Sequence, residues 1–67
     1  MTAEKLSSRE LQVLGLLGRA LSIKGVAREL GISPGTTKWH VRNLYLKLDV
    51  SSREHALSKA RACAIIP

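Results

Sequence analysis

The stretch SIKGVARELGISPGTTKWHVRNLYLKL, residues 22–48, decides the fold. Ile23, Val26, Ala27 and Leu30 fall at the i, i+3, i+4, i+7 spacing of an amphipathic helix, with Ser22 before them as N-cap. Gly31 supplies the left-handed residue that stops this helix. Ile32 follows as an apolar plug. Ser33-Pro34 then starts the next helix at once, a capping serine followed by proline in the first helical position. A helix, a tight turn containing glycine and a second helix make a helix-turn-helix unit, although spacing alone does not separate it from any compact helical hairpin.

The second helix of the unit should run from about Ser33 to Leu48. Thr37, Val41, Leu44 and Leu48 share one stripe and face a core. At 100° per residue, Trp39 and Leu46 fall nearly opposite, flanked by Arg42 and Asn43, with Gly35 and Thr36 on the same side in the first turn. Such a face suits a major groove, because arginine and asparagine each make paired hydrogen bonds to base edges.

Working outward, Leu6-Ser7-Ser8-Arg9-Glu10-Leu11 combines a capping box with a hydrophobic staple and opens a first helix. Leu11, Val13, Leu14, Leu16 and Leu17 make it apolar over more than half its circumference, which marks it as the hub of the fold. Ser51-Ser52-Arg53-Glu54 is a second capping box, opening a fourth helix over about 52–64. Its thin stripe of Ala56, Leu57, Ala60 and Ala64 admits close approach of another helix, either the first helix or a second copy of the chain. No segment shows strand alternation. The expected architecture is all-α: a single four-helix domain over residues 1–67, with the helix-turn-helix core at about 22–48.

Composition narrows the function. With 67 residues, the chain buries only about 60% of the surface its unfolded form exposes, leaving little to build a catalytic cleft. No Ser-His-Asp or Cys-His pairing and no glycine-rich phosphate loop is present, and the carboxylates are dispersed on helix starts, so an enzyme is not expected. Cys63, alone, forms no internal disulfide and starts no zinc site; His40 and His55 lie on different helices. Neither metal nor cofactor is expected. Glu4 and Lys5 interrupt any N-terminal apolar run, and the longest such run, Ala62 to Ile66, is too short to span a membrane. The expected location is the cytoplasm. Eleven Lys and Arg against five Asp and Glu give a net charge of +6 and a pI near 10.3, which implies a polyanionic partner. No acidic residue falls between Leu30 and Leu48, where Lys38, Arg42, Lys47 and His40 stand.

The candidate DNA-binding residues are Lys38, Trp39, Arg42, Asn43, Thr36, Lys47, Lys24 and Ser33. Lys38 and Arg42 are on or beside the outward face. Trp39, by its angle, contacts the groove or backbone rather than anchoring a core: its indole N–H can donate to a phosphate and its ring can pack on a sugar or a thymine methyl. Asn43 either reads adenine or holds a turn. Thr36 and Ser33 lie at the positive end of their helix, where backbone N–H groups favour phosphate; Lys24 and Lys47 are phosphate candidates. His40 turns toward the second helix as a structural histidine. The competing reading is a basic helical protein-interaction module without specific DNA readout. RNA is a poorer third, since single-strand readout leans on stacking aromatics and only Trp39 and Tyr45 are present.

These landmarks resemble the LuxR-type (NarL/FixJ- or GerE-type) DNA-binding domain of bacterial transcription factors. The resemblance runs from Leu6 to about Ala60. It is carried by Leu6-Ser7-x-Arg9-Glu10, Val13-Leu14-x-Leu16-Leu17, Leu21-Ser22-x-Lys24, Ala27, Leu30-x-Ile32-Ser33, Thr36-x-Lys38-x-His40-Val41-x-Asn43-Leu44, Lys47-Leu48-x-Val50-x-x-Arg53 and Ala56. The run from Gly35 to His40 looks most like the C-terminal domain of the large ATP-dependent, MalT-type regulators. The resemblance implies that the third helix enters the major groove of double-stranded DNA, with Lys38, Trp39 and Arg42 at contacting positions. It implies a weak homodimer through the fourth helix, at Ala56, Ala60 and Ala64, favoured on DNA with two half-sites; RNA polymerase is a further candidate partner. The chain is then an isolated effector domain or a fragment of a larger regulator. Several residues depart from the family's habit: Gln12 for glutamate, Ala20 for glycine, Ile23 for asparagine, Gly25 for a glutamate that would complete a capping box with Ser22, Thr37 for valine and Asp49 for glycine. These changes bear on local stability more than on function.

Overall fold

The computed structural model describes residues 6–66. Four helices are built, α1 (Ser8–Gly18), α2 (Ile23–Leu30), α3 (Pro34–Leu48) and α4 (Arg53–Ala62), and no strand occurs among the described residues. Each helix starts where a serine can cap it: Ser7, Ser22, Ser33 and Ser52 each accept a hydrogen bond from the backbone N–H three residues on. At α1 the box is complete, since the Glu10 carboxylate accepts the Ser7 N–H at 2.8 Å. Gly31 (φ 68°) ends α2 in the left-handed conformation, and Ile32 N–H returns to Ala27 O at 3.0 Å. The link to α3 is Gly31-Ile32-Ser33, the tight turn expected.

α1 and α3 pack most extensively on each other, while α2 and α4 each pack on both and not on one another. The core is one cluster of Leu6, Val13, Leu14, Leu17, Val26, Leu44, Leu48, Ala56 and Ala60. α1 is central, yet its apolar surplus is not wholly covered: Leu11 remains 42% exposed and Leu16 half-buried. Thr37, fully buried, donates its hydroxyl to Ser33 O at 3.0 Å, so the polar atom expected near the core is satisfied by its own helix.

The alanine stripe of α4 requires a correction. Ala56 and Ala60 are both 0% exposed within the core, so a second copy cannot reach them. Ala64 is not on the helix at all. α4 ends at Ala62, two residues short of expectation, because Ala64 adopts φ 58° and lets Ile65 N–H return to Ala60 O at 2.8 Å. Ile65 and Ile66 then fold back onto the core.

Two cations hold α4 in place. Arg53 donates through Nη2 to Leu17 O at 2.7 Å, and Lys59 Nζ donates to Leu48 O at 2.6 Å. Both acceptors belong to the last turns of α1 and α3, where carbonyls lack intrahelical partners and the helix dipole favours positive charge.

Candidate nucleic-acid interface

The outward side of α3 begins at its cap. Pro34 has no N–H; Ser33 Oγ accepts the Thr36 N–H at 3.1 Å and donates to Thr36 Oγ1 at 2.9 Å. Ser33 therefore commits its hydroxyl to the helix start, and Thr36, whose Oγ1 accepts that bond, keeps its own O–H to donate at an exposed position. From this start the helical period sets the rest. Trp39 is 62% exposed and Leu46 70%, with Gly35, Thr36, Lys38 and Arg42 also exposed, while Thr37, Leu44 and Leu48 are buried. The register read from the sequence is the register observed, with one exception: Val41, expected on the core stripe, is only half-buried, packing on the core but also facing the outer side toward Ile23.

The Trp39 and His40 rings meet edge to face, with centroids 5.2 Å apart at 71°. His40 is half-buried, as is Asn43 on the flank of the face. Lys24 is exposed in the first turn of α2. α3 carries no acidic residue, and Lys38 and Arg42 stand on it without a carboxylate of their own helix nearby.

Lys47 is placed differently from its expected role. Its ammonium lies 2.9 Å from Glu10 Oε1, the same oxygen that accepts the Ser7 N–H. Glu10 is only 5% exposed. Burial pushes its carboxyl up, but the Lys47 hydrogen bond and charge and the Ser7 bonds outweigh it, so the carboxyl sits below its ordinary value. Lys47 thus ties the last turn of α3 to the first turn of α1, and it belongs to the frame before it belongs to any phosphate.

One feature of this side was not among the candidate residues. An almost wholly apolar cleft of about 320 Å³ opens between the start of α2 and the outer side of α3, lined by Ile23, Val41, Tyr45 and Leu46 with Lys38 and Arg42. Burial pushes the Tyr45 phenol above its ordinary 10.0, against the opposing pull of the Arg53 charge, so it stands there as a neutral hydroxyl. The exposure of Leu46 was legible in the sequence; the approach of Ile23 from another helix was not. Among the described residues no group of His, Cys, Asp and Glu could hold a metal, and no helix is long and apolar enough to cross a membrane.

Residues 4–60 match the family model described as bacterial regulatory proteins, luxR family. The chain is 44% identical over 55 residues to the HTH-type transcriptional regulator MalT of Vibrio campbellii and 45% identical over 56 residues to that of Yersinia pestis. Those alignments take in 82% and 84% of this chain but 6% of each relative, so the chain spans a small part of their length. Among solved structures, it is similar to the response regulator ChrA of a heme-sensing two-component system, with a TM-score of 0.90 at 36% identity over 98% of this chain and 33% of that one. It is similar over almost the whole of both chains to the transcription factor GerE, with a TM-score of 0.86 at 31% identity, covering 96% and 97%.

Proposed function

Because this chain belongs to the luxR family of bacterial regulatory proteins, we propose that it binds double-stranded DNA sequence-specifically in transcription control, with α3 in the major groove. The single observation that carries this reading is the outward face of α3: Lys38, Trp39 and Arg42 exposed together on a helix free of acidic residues. The Lys38 ammonium and Arg42 guanidinium on that face neutralise phosphates at the groove's edge, and the indole packs on sugars or a thymine methyl. Thr36, through its hydroxyl at the positive end of α3, and Lys24 on α2 flank the face as phosphate ligands. Asn43 at its edge reads adenine. Ser33 takes part by shaping the helix start, and Lys47 by fixing the far end of α3 to Glu10.

Dimerisation on two half-sites and contact with RNA polymerase belong to the same proposal. With Ala56 and Ala60 inside the core, a dimer through α4 has to use its outer residues, Glu54, His55, Ser58, Arg61 and Ala62. These offer little apolar area to offset the entropy of association, so the free chain is monomeric and pairs only on DNA. Selection of bound duplexes from a random pool tests the main reading. Enrichment of one motif over random duplex supports it; recovery of the input distribution refutes it in favour of a basic protein-interaction module.

A further inference from the structure

None of the polar contacts just proposed uses the apolar cleft beside α3. Ile23 reaches it from the first turn of α2, Val41, Tyr45 and Leu46 line it from α3, and Lys38 and Arg42 stand on its border. Leu46 follows Trp39 by seven residues, two helical turns, so the two share nearly one angle, with Leu46 about 10 Å further along the axis. An exposed leucine alone means little. This one, 70% exposed, adds nothing to the core and forms the wall of a concavity that continues the face carrying Trp39 and Arg42.

The cleft is apolar and the border is cationic, so a fitting occupant is an apolar group carried on a polyanion. In the major groove that description fits the C5-methyl of thymine, the one apolar group that a base edge presents there. Resting on the DNA-binding reading, we infer that the cleft of Ile23, Tyr45 and Leu46 reads a pyrimidine C5-methyl, with Lys38 and Arg42 holding phosphates nearby. A volume of about 320 Å³ admits a methyl together with the base edge that bears it. Leu46 is then a specificity-determining residue, acting through shape and apolar contact.

The test uses the duplex selected from the random pool, with each thymine replaced in turn by uracil, which removes only the methyl. Affinities of the wild type and Leu46→Ala are measured at one fixed salt concentration, and melting curves verify that the variant is folded. The expected result is a loss of about fourfold for the wild type at one or more positions, the worth of one buried methyl. Leu46→Ala should bind the thymine duplex more weakly and become indifferent to uracil at one or more of those positions, while Trp39→Ala keeps the sensitivity there. If Leu46→Ala keeps the thymine-to-uracil ratio of the wild type, or no position distinguishes the two bases, the cleft is not a methyl reader while DNA binding stands. A selected motif without thymine has the same consequence. A pool that yields no motif overturns the DNA reading, and this inference with it.

Discussion

Trp39 and Leu44 lie five residues apart on one helix, in opposite surroundings: the indole is 62% exposed and the leucine 0%. Truncating Trp39 opens no cavity, so Trp39→Ala should keep its melting temperature and lose affinity for the selected duplex. Leu44→Ala should lose about 2–5 kcal/mol, enough to unfold a domain of this size. Thermal melting and DNA titration of both variants check the pair, and the reverse outcome would displace the whole outward face. Glu10 is the other decisive residue. Its capping role was legible, because Ser7 is three residues away; its bond to Lys47 spans 37 positions, and only the folded chain brings them together. Since the folded carboxyl sits below its ordinary 4.5, the stability it contributes is complete above that value and lost as pH falls toward the folded value. Melting should therefore steepen its decline below about pH 4.5, and Glu10→Gln should lower the neutral-pH melting temperature while flattening that acid limb.

At the scale of elements, starts were legible and ends were less so. A start is written in a serine and the residues just after it, all local, and three of the four caps are those the sequence announces; at α4 the cap is Ser52, one residue beyond the expected Ser51–Glu54 box, and its Oγ accepts the His55 N–H at 3.1 Å. Gly31 announces an end in the same way. Ala20 (φ 65°), Asp49 (φ 58°) and Ala64 (φ 58°) also take left-handed conformations with no glycine to mark any of the three, and at α4 the alanine stripe runs on in the sequence past the observed end. The alanines of α4 posed a different difficulty: a stripe of small residues says that something approaches closely, not what. α1 and α3 supply the answer, through contacts remote in sequence. Gly25 offers a direct test of cap logic. Its N–H donates to Ser22 Oγ at 3.1 Å, and a Cβ there would meet Leu21 at an ordinary 3.5 Å. Gly25→Glu should complete the box and remove a helix glycine, raising stability by about 1 kcal/mol, measurable as a higher urea midpoint with unchanged slope.

For the whole molecule, net charge of +6 overstates what faces a partner. Lys47, Arg53 and Lys59 are engaged with Glu10, Leu17 O and Leu48 O, whereas Lys24, Lys38 and Arg42 are exposed on α2 and α3. Three phosphate contacts from the latter give a logarithmic salt slope of about −3, at about −0.9 each. Lys38→Ala and Arg42→Ala should each reduce the slope by about one, while Lys59→Ala should lower the melting temperature and leave the slope alone; DNA titrations at several salt concentrations separate the two classes. The engaged cations have a consequence of another kind. Trypsin cuts the chain after lysine and arginine, and it needs the residue drawn out into an extended strand. Arg53 and Lys59 are held against carbonyls of other helices, so the peptide bonds after them become cleavable only when α4 lifts away, and the rate of digestion at those two bonds is a clock for that opening.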